Sequence, residues 1–383
     1  MNFQLSEEQQ MLADSAKRFV RDNSDVETHR RNKKLMPLDA ATWQQFADLG
    51  WLAVPFEEEH GGLGMGPLET MVLLEALGEG LIMAPYIATV VLGGGFLRQA
   101  SAAQQAETIP ALLEGKLQVA FAAEEYERVF TLENTAMVAD LNGNEAILNG
   151  TKSCVMNGDQ ADLLVVLART AGQPGDQDGL SLFLVDANAP GVERVPHRTV
   201  DGRQGAEIRF NQVKVAEAAR IGALHGGYAI ARQVLHEGLL ALSAESVGSL
   251  SVLLNETVEY SKTRKQFGKP IGKFQVLQHR MVDMFMEHEQ SISMTYMATL
   301  KLDEDEVTRK KAASAAKVRI GQAGRFIGQE AVQIHGGMGM TDELAVGHYF
   351  KRLTMIDSEF GNIDHHLKRY TGLTEMELPA AAE

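Results

Sequence analysis

Two stretches of this chain have residue types and spacings suited to binding an anion. Near the C-terminus, Gln333-Ile334-His335-Gly336-Gly337-Met338-Gly339 is a glycine-rich run. Glycines carry no side chain, so backbone N–H groups in such a run can approach phosphate oxygens. Upstream, Arg264 and Phe267 stand in Thr263-Arg264-Lys265-Gln266-Phe267-Gly268-Lys269-Pro270. A guanidinium binds phosphate bidentately through a planar fork. The plainer reading of the pair is a cation at a helix C-terminus and a core aromatic. Two further clusters lead nowhere. His365 and His366 are adjacent, so on a helix they point apart and do not share a metal. Gly93-Gly94-Gly95 has no strand before it and no Lys-Ser/Thr after it, so it is not a P-loop.

The elements that must position these residues follow from composition and pattern. The 383 residues are enough for several layers around more than one core, and 45 % of them are hydrophobic, as in ordinary globular proteins. A formal charge of −15 argues against non-specific nucleic-acid binding, and a polyanionic ligand would need a local basic patch. Cys154 is the one cysteine, which excludes an intrachain disulfide and a cysteine metal site. No apolar run reaches the roughly 18–20 residues that a membrane span needs. Met1-Asn2-Phe3-Gln4-Leu5 lacks the basic and apolar regions of a secretory signal, so a reducing cytoplasm is the expected location.

Residues 1–118 read as helical. Ser6-Glu7-Glu8-Gln9 is a capping box with Leu5 as a staple residue, and Met11, Leu12, Ala16, Phe19 and Val20 follow at helical spacing. A second helix fits Leu38 to Leu49, and others run from Pro67 through Gly78 and toward Leu113. Residues 119–226 carry short apolar runs at Val119–Phe121, Ala146–Leu148, Leu163–Leu167 and Leu182–Val185, with alternation at Ile208–Phe210 and Val213–Val215. Turn signals such as Asn142-Gly143 and Asn149-Gly150 separate them, which predicts a small antiparallel β domain. Residues 227–383 return to long helical periods over Tyr228–Tyr260, Val276–Leu302 and Thr308–Ile334, predicting a four-helix bundle with a frayed Ala-Ala-Ala-Glu tail. The expected class is α+β: a helical domain, a β domain and a helical bundle.

That order resembles the acyl-CoA dehydrogenase family, and four stretches spread over nearly the whole chain carry the likeness. They are Phe3-x-Leu5-Ser6-x-Glu8-Gln9, Leu49-Gly50-Trp51-Leu52-Ala53-Val54-Pro55 with Glu59-His60-Gly61-Gly62-x-Gly64, Thr263 through Phe274-Gln275, and Gln333 through Gly339. The resemblance implies FAD as cofactor. It further implies that Arg264, with Phe267 and Gln275, reaches the pyrophosphate of a neighbouring subunit's FAD. Gln333, Gly336 and Gly337 would complete that cradle, with His335 lining it.

The resemblance also marks what is missing. The family's Glu-Gly-Thr, whose glutamate is the catalytic base, is replaced by Phe360-Gly361-Asn362. Its Glu-Pro-Gly-Ala-Gly-Ser-Asp-like flavin loop is replaced by Glu124-Glu125-Tyr126-Glu127-Arg128. Its Lys-x-Trp-Ile-Thr-Asn-Gly stretch is Lys152-Ser153-Cys154-Val155-Met156-Asn157-Gly158, without the tryptophan and threonine that meet the flavin ring. Some members place the base on the long helix instead; counting back from Arg264 and Phe267 lands on Gly238, one residue from Glu237, which turns Glu237 about 100° around the helix. Glu245, about two turns along, and Glu359, beside Phe360, are the other weak candidates, and the plain reading of the helix pair is a solvated or interface carboxylate. The His348–Asp357 and Phe360–Leu367 stretches resemble the small-subunit branch, as in pimeloyl-CoA dehydrogenase small subunits and heteromeric steroid-degradation enzymes. There a base-less chain pairs with a base-bearing partner as α2β2, acts on an acyl-CoA and hands electrons to an electron-transferring flavoprotein. The other readings are a homo-oligomeric dehydrogenase with a relocated base, a scaffold that holds acyl-CoA or a partner, and a flavin monooxygenase.

Overall fold

The computed structural model describes residues 5–24, 40–127 and 130–375. Phe3, Leu38, Arg128 and the Ala-Ala-Ala-Glu tail therefore lie outside the described residues. Helices come first, then strands, then helices again. By compactness the chain divides into two units, each drawn from separate stretches: Met36–Gly66 with Met83–Gly238, and Met1–Leu35 with Pro67–Ile82 and Leu239–Glu383.

The first unit is built on a sheet. Its strands are β1 (Val119–Ala122), β2 (Val138–Asn142), β3 (Glu145–Met156), β4 (Leu163–Arg169), β5 (Leu180–Asp186), β6 (Val192–Arg198), β7 (Gln204–Ala216) and β8 (Arg220–Ile221). They run in the order β6-β7-β3-β2-β4-β5-β8, with β1 on β4. Pairing is antiparallel except for β1 and β2 against β4, which are parallel. Alternation along the strands turns Leu148, Val155, Leu164, Val166, Phe183, Ile208 and Val213 into one core. At the end of β4 the buried Arg169 donates five hydrogen bonds, to the carbonyls of Glu133, Thr135, Ala171, Asp176 and Asp178.

Helices accompany this sheet in the same unit. The first is Ala40–Asp48, which buries Trp43 and Phe46. A π-helix at Ile87–Gly93 continues into Gly94–Leu97 and is buried throughout. The sequence pattern did not foretell it, since three glycines in a row argue against a helix. Packing reverses that preference: a Cβ on Gly93 would meet Val119 at 2.6 Å, and one on Gly94 would meet the Phe56 ring at 2.6 Å.

The second unit is helical. We number its helices α1 (Glu7–Asn23), α2 (Pro67–Glu79), α3 (Gly227–Thr263, which begins in the sheet unit), α4 (Gln275–Leu300), α5 (Glu306–His335), α6 (Val346–Ser358) and α7 (Ile363–Glu375). The capping box on α1 is present, with Ser6 and Gln9 satisfying each other's backbone N–H groups. Asp305 caps α5 by accepting from Val307 and Thr308. Where α2 crosses α3 the backbones touch: a Cβ on Gly248 would lie 2.0 Å from the Glu75 carbonyl oxygen. By length and composition α3 could cross a membrane, which corrects the expectation that no apolar stretch is long enough; serines and glycines are interspersed in it. Most of that stretch is buried, as in a core helix.

Candidate functional site

The glycine-rich run and the arginine hairpin are joined at two helix ends. Tyr260, in the last turn of α3, stacks on His335, the last residue of α5, with ring centroids 4.2 Å apart. The Tyr260 hydroxyl donates to the His335 carbonyl at 3.4 Å, and His335 Nδ1 meets the Ala331 carbonyl oxygen at 2.8 Å. His335 is buried against Tyr260 and so anchors the start of the loop. Gly336 follows at φ +61° and ψ −140°, a conformation open to glycine. A Cβ on Gly336 or Gly337 would meet nothing within 4 Å, and Gln333 is exposed beside them. The space beside Gly336 and Gly337 is thus open, while the Gly336 N–H itself is committed to the Gln333 and Val332 carbonyls.

Arg264 closes α3 on the same side. Its backbone N–H donates to the Tyr260 carbonyl, and its exposed guanidinium has no ion pair among the described residues. The next residues form a hairpin, Lys265–Gln266 against Lys269–Pro270. Its two tip residues, Phe267 at φ +51° and Gly268 at φ +78°, both take left-handed backbone, as a tight two-residue hairpin requires. Phe267 is 90 % exposed, so the plain reading of it as a core aromatic is wrong. Its ring stands edge-on to that of Phe274, centroids 6.1 Å apart, while Lys269 sits over the Phe274 ring at 4.3 Å. Gln275 opens α4, also exposed. Bulky residues at positive φ carry strain, and here the strain presents an aromatic ring to the outside.

The turn at position 360 is built differently. Phe360 is half-buried at φ +56°, and its neighbours are all tied down. Arg352, buried in α6, donates to Glu245 of α3 at 2.7 and 3.1 Å. The same guanidinium donates to Glu359 at 2.8 and 3.0 Å. His366, from α7, meets the Phe360 carbonyl oxygen through Nε2 at 3.0 Å, and burial pushes its imidazole down to about 3. Lys317, from α5, donates to the carbonyls of Ile356, Asp357 and Gly361. In the sheet unit, Glu237 receives Arg98 Nη2 at 2.5 Å. All three candidate carboxylates are thus engaged by arginine.

The stretch aligned with the family's flavin-ring contacts has its own logic. Buried Lys152 donates to Glu125 at 2.8 Å and to the Ala123 carbonyl at 2.9 Å. Burial would raise the Glu125 carboxyl, yet Lys152 and the N–H groups of Met137 and Ala136 hold it below its usual value. A bulge between Lys152 and Val155 turns Cys154 outward at φ +49°. Burial of its surroundings pushes that thiol up, so Cys154 is not a reactive thiolate. Met156 ends β3, half-buried opposite Gly205.

Sequence reasoning missed Arg352, Lys317 and Arg98. One signal was available for Arg352: it is spaced with Tyr349, Leu353 and Ile356 on the buried stripe of α6. A charge on an apolar stripe implies a buried partner.

Comparison with known proteins agrees with this architecture. Family models for the N-terminal, middle and C-terminal domains of acyl-CoA dehydrogenase match residues 6–116, 120–213 and 225–368. L-prolyl-[peptidyl-carrier protein] dehydrogenase of Serratia sp. (strain ATCC 39006) is 31 % identical over 372 residues, 94 % of each chain. Among solved structures, the ChsE4-ChsE5 complex from Mycobacterium tuberculosis superposes with TM-score 0.90 at 28 % identity, covering 99 % of this chain and 100 % of that one. PigA with FAD and proline gives TM-score 0.91 at 29 % identity, with coverage of 99 % and 100 %.

Proposed function

We propose that this chain, which belongs to the acyl-CoA dehydrogenase family, works as the subunit that lacks a base of its own and completes the flavin site of a partner that has one. One observation carries the reading. Phe360 cannot take a proton, and Glu237, Glu245 and Glu359 are each held in an ion pair with an arginine. An arginine partner occupies acceptor sites of each carboxylate and fixes its orientation, which supports a chain without a base of its own.

The residues present fit part of FAD. Arg264, Gln333, Gly336 and Gly337 would hold its pyrophosphate on the open side of the loop, with Phe267 and Gln275 beside it. FAD, when bound, accepts hydride from the β-carbon of an acyl thioester. This chain's own residues would bind the diphosphate and orient the cofactor, in trans, in a partner whose carboxylate takes the α-proton. The heteromeric ChsE4-ChsE5 neighbour supports a pairing of that kind, and the PigA neighbour, a complex with FAD, supports the cofactor. An α2β2 assembly, an acyl-CoA substrate and an electron-transferring flavoprotein as acceptor complete the proposal, with sequence modules at 1–118, 119–226 and 227–383. The prolyl carrier-protein relative favours a second reading of the substrate, in which a carrier protein presents the thioester.

The test is turnover with a ferrocenium acceptor and flavin content, for the chain alone and with a co-expressed base-bearing family member. The expected result is little flavin and no turnover alone, with both present in the complex. Robust turnover by the pure chain, abolished by Glu245→Gln, Glu237→Gln or Glu359→Gln, would establish a relocated base and overturn the proposal. Comparing CoA and carrier-protein thioesters decides between the two substrate readings.

A further inference from the structure

The turn after α6 is held by an amine. Lys317 is fully buried, and its Nζ donates to the carbonyls of Ile356 at 2.7 Å, Gly361 at 2.8 Å and Asp357 at 3.0 Å. An ammonium has three N–H donors, and here each has one carbonyl. Two of those carbonyls lie in the last turn of α6, where they lack helical partners and carry the negative end of the helix dipole. The third lies past the turn, so one side chain spans residues 356 to 361. His366 holds the carbonyl between them and Arg352 holds the Glu359 side chain. A Cβ on Gly361 would meet His366 Nε2 at 2.7 Å, so the turn has no slack on that side.

We propose that Lys317 is the positioning residue of position 360 and that loss of its proton releases the turn. A neutral amine keeps two N–H donors and gains a lone pair, so one of the three carbonyls would face a lone pair instead of a proton. Burial pushes Lys317 down to about 8, with Arg352 adding to the lowering while Asp357 and Glu359 oppose it. The other groups facing it cannot carry the effect. His366 is neutral throughout the range, with His365 and Arg369 beyond it on α7. Glu245 of α3 is spent on Arg352, and the α4 side of α5 presents Glu287 and Gln290 to Arg319. The turn is therefore tight below about pH 7 and loosens above about pH 9. This needs only the free chain and is independent of the flavin reading.

An indole introduced by Phe360→Trp reports on the turn in the full-length chain, taken as the difference in emission from wild type between pH 6 and 10. The expected result is a single step with its midpoint near pH 8. The step should vanish when Lys317→Met is added. Should that variant not fold, Asp357→Asn decides alone: it removes a charge that favours the ammonium, so the midpoint should move to lower pH. A flat signal in Phe360→Trp, a step that survives Lys317→Met, or an unmoved midpoint in Asp357→Asn overturns the proposal.

Discussion

Arg352→Met strips the cation from two buried carboxylates at once. The wild-type guanidinium makes four charge-assisted hydrogen bonds, two to Glu245 and two to Glu359, and the methionine stem keeps part of the packing. The side chains left behind are 5 % and 14 % exposed. Breaking a buried pair by removing one partner costs ~3–5 kcal/mol. Glu359 retains some water, so the lower end, about 3 kcal/mol at pH 8, is expected here. A carboxylate buried without a cation favours its protonated form, so the deficit against wild type should shrink as pH falls from 8 toward 5. Adding Glu245→Gln and Glu359→Gln should restore most of the loss, because neutral replacement of a whole buried ion set is often tolerated. Urea midpoints at both pH values measure all of this. A loss below about 1 kcal/mol at pH 8 is what solvated surface pairs give, and would refute the claim that Arg352 sequesters both candidates.

Arg264→Ala should weaken flavin retention in the complex about tenfold or more, since hydrogen bonds to charged groups contribute ~1.5–3 kcal/mol, with Arg264→Lys recovering part; bound FAD after gel filtration decides, and an unchanged ratio removes Arg264 from the site. Phe360→Glu by itself should leave the isolated chain inactive, because Cys154 and Met156 still stand where the flavin contacts would be; a large gain in turnover would show the flavin already seated. Glu75, whose carboxyl burial and Glu79 push up to about 7, releases its proton in the unfolded chain near 4.5. Stability should therefore fall as pH rises through that window, and Glu75→Gln should stabilise the protein above pH 7 by about 2–3 kcal/mol; parallel urea-midpoint curves for the two proteins would refute it.

Periodicity made most of the helical unit legible. The Tyr228–Tyr260, Val276–Leu302 and Thr308–Ile334 patterns fall within a few residues of Gly227–Thr263, Gln275–Leu300 and Glu306–His335. The strands that escaped were those without apolar alternation. Val192–Arg198 is mostly exposed and contains Pro196, and Val138–Asn142 buries only Ala139. At the site, the family resemblance pointed to the glycine loop, the arginine and the replacement at Phe360. What spacing could not supply was pairing in space: Glu245 and Glu359 are 114 residues apart in sequence yet share one guanidinium. Exposure of Phe267 was hidden for a related reason, because an aromatic just past a helix end reads as core until the hairpin turns it outward.

Arg169 ties together the 133–135 and 171–178 loops, which also share a bond from the Gly175 N–H to the Glu133 carbonyl. All five of its hydrogen bonds go to main-chain carbonyls, which every amino acid possesses. The anchor is thus blind to the side chains of the segments it gathers. Residues such as Glu133 and Asp178 can be exchanged without altering what holds them, provided the carbonyls stay in place. Arg169 itself has no such freedom: lysine carries three donors against the guanidinium's five, and would leave at least two of these carbonyls without their partner. A library on the 171–179 segment could vary exposed positions such as Gln173, Gln177 and Asp178, while keeping Gly172, Gly175 and Gly179 at their positive φ and Asp176, whose carboxylate accepts from the Gln173 N–H.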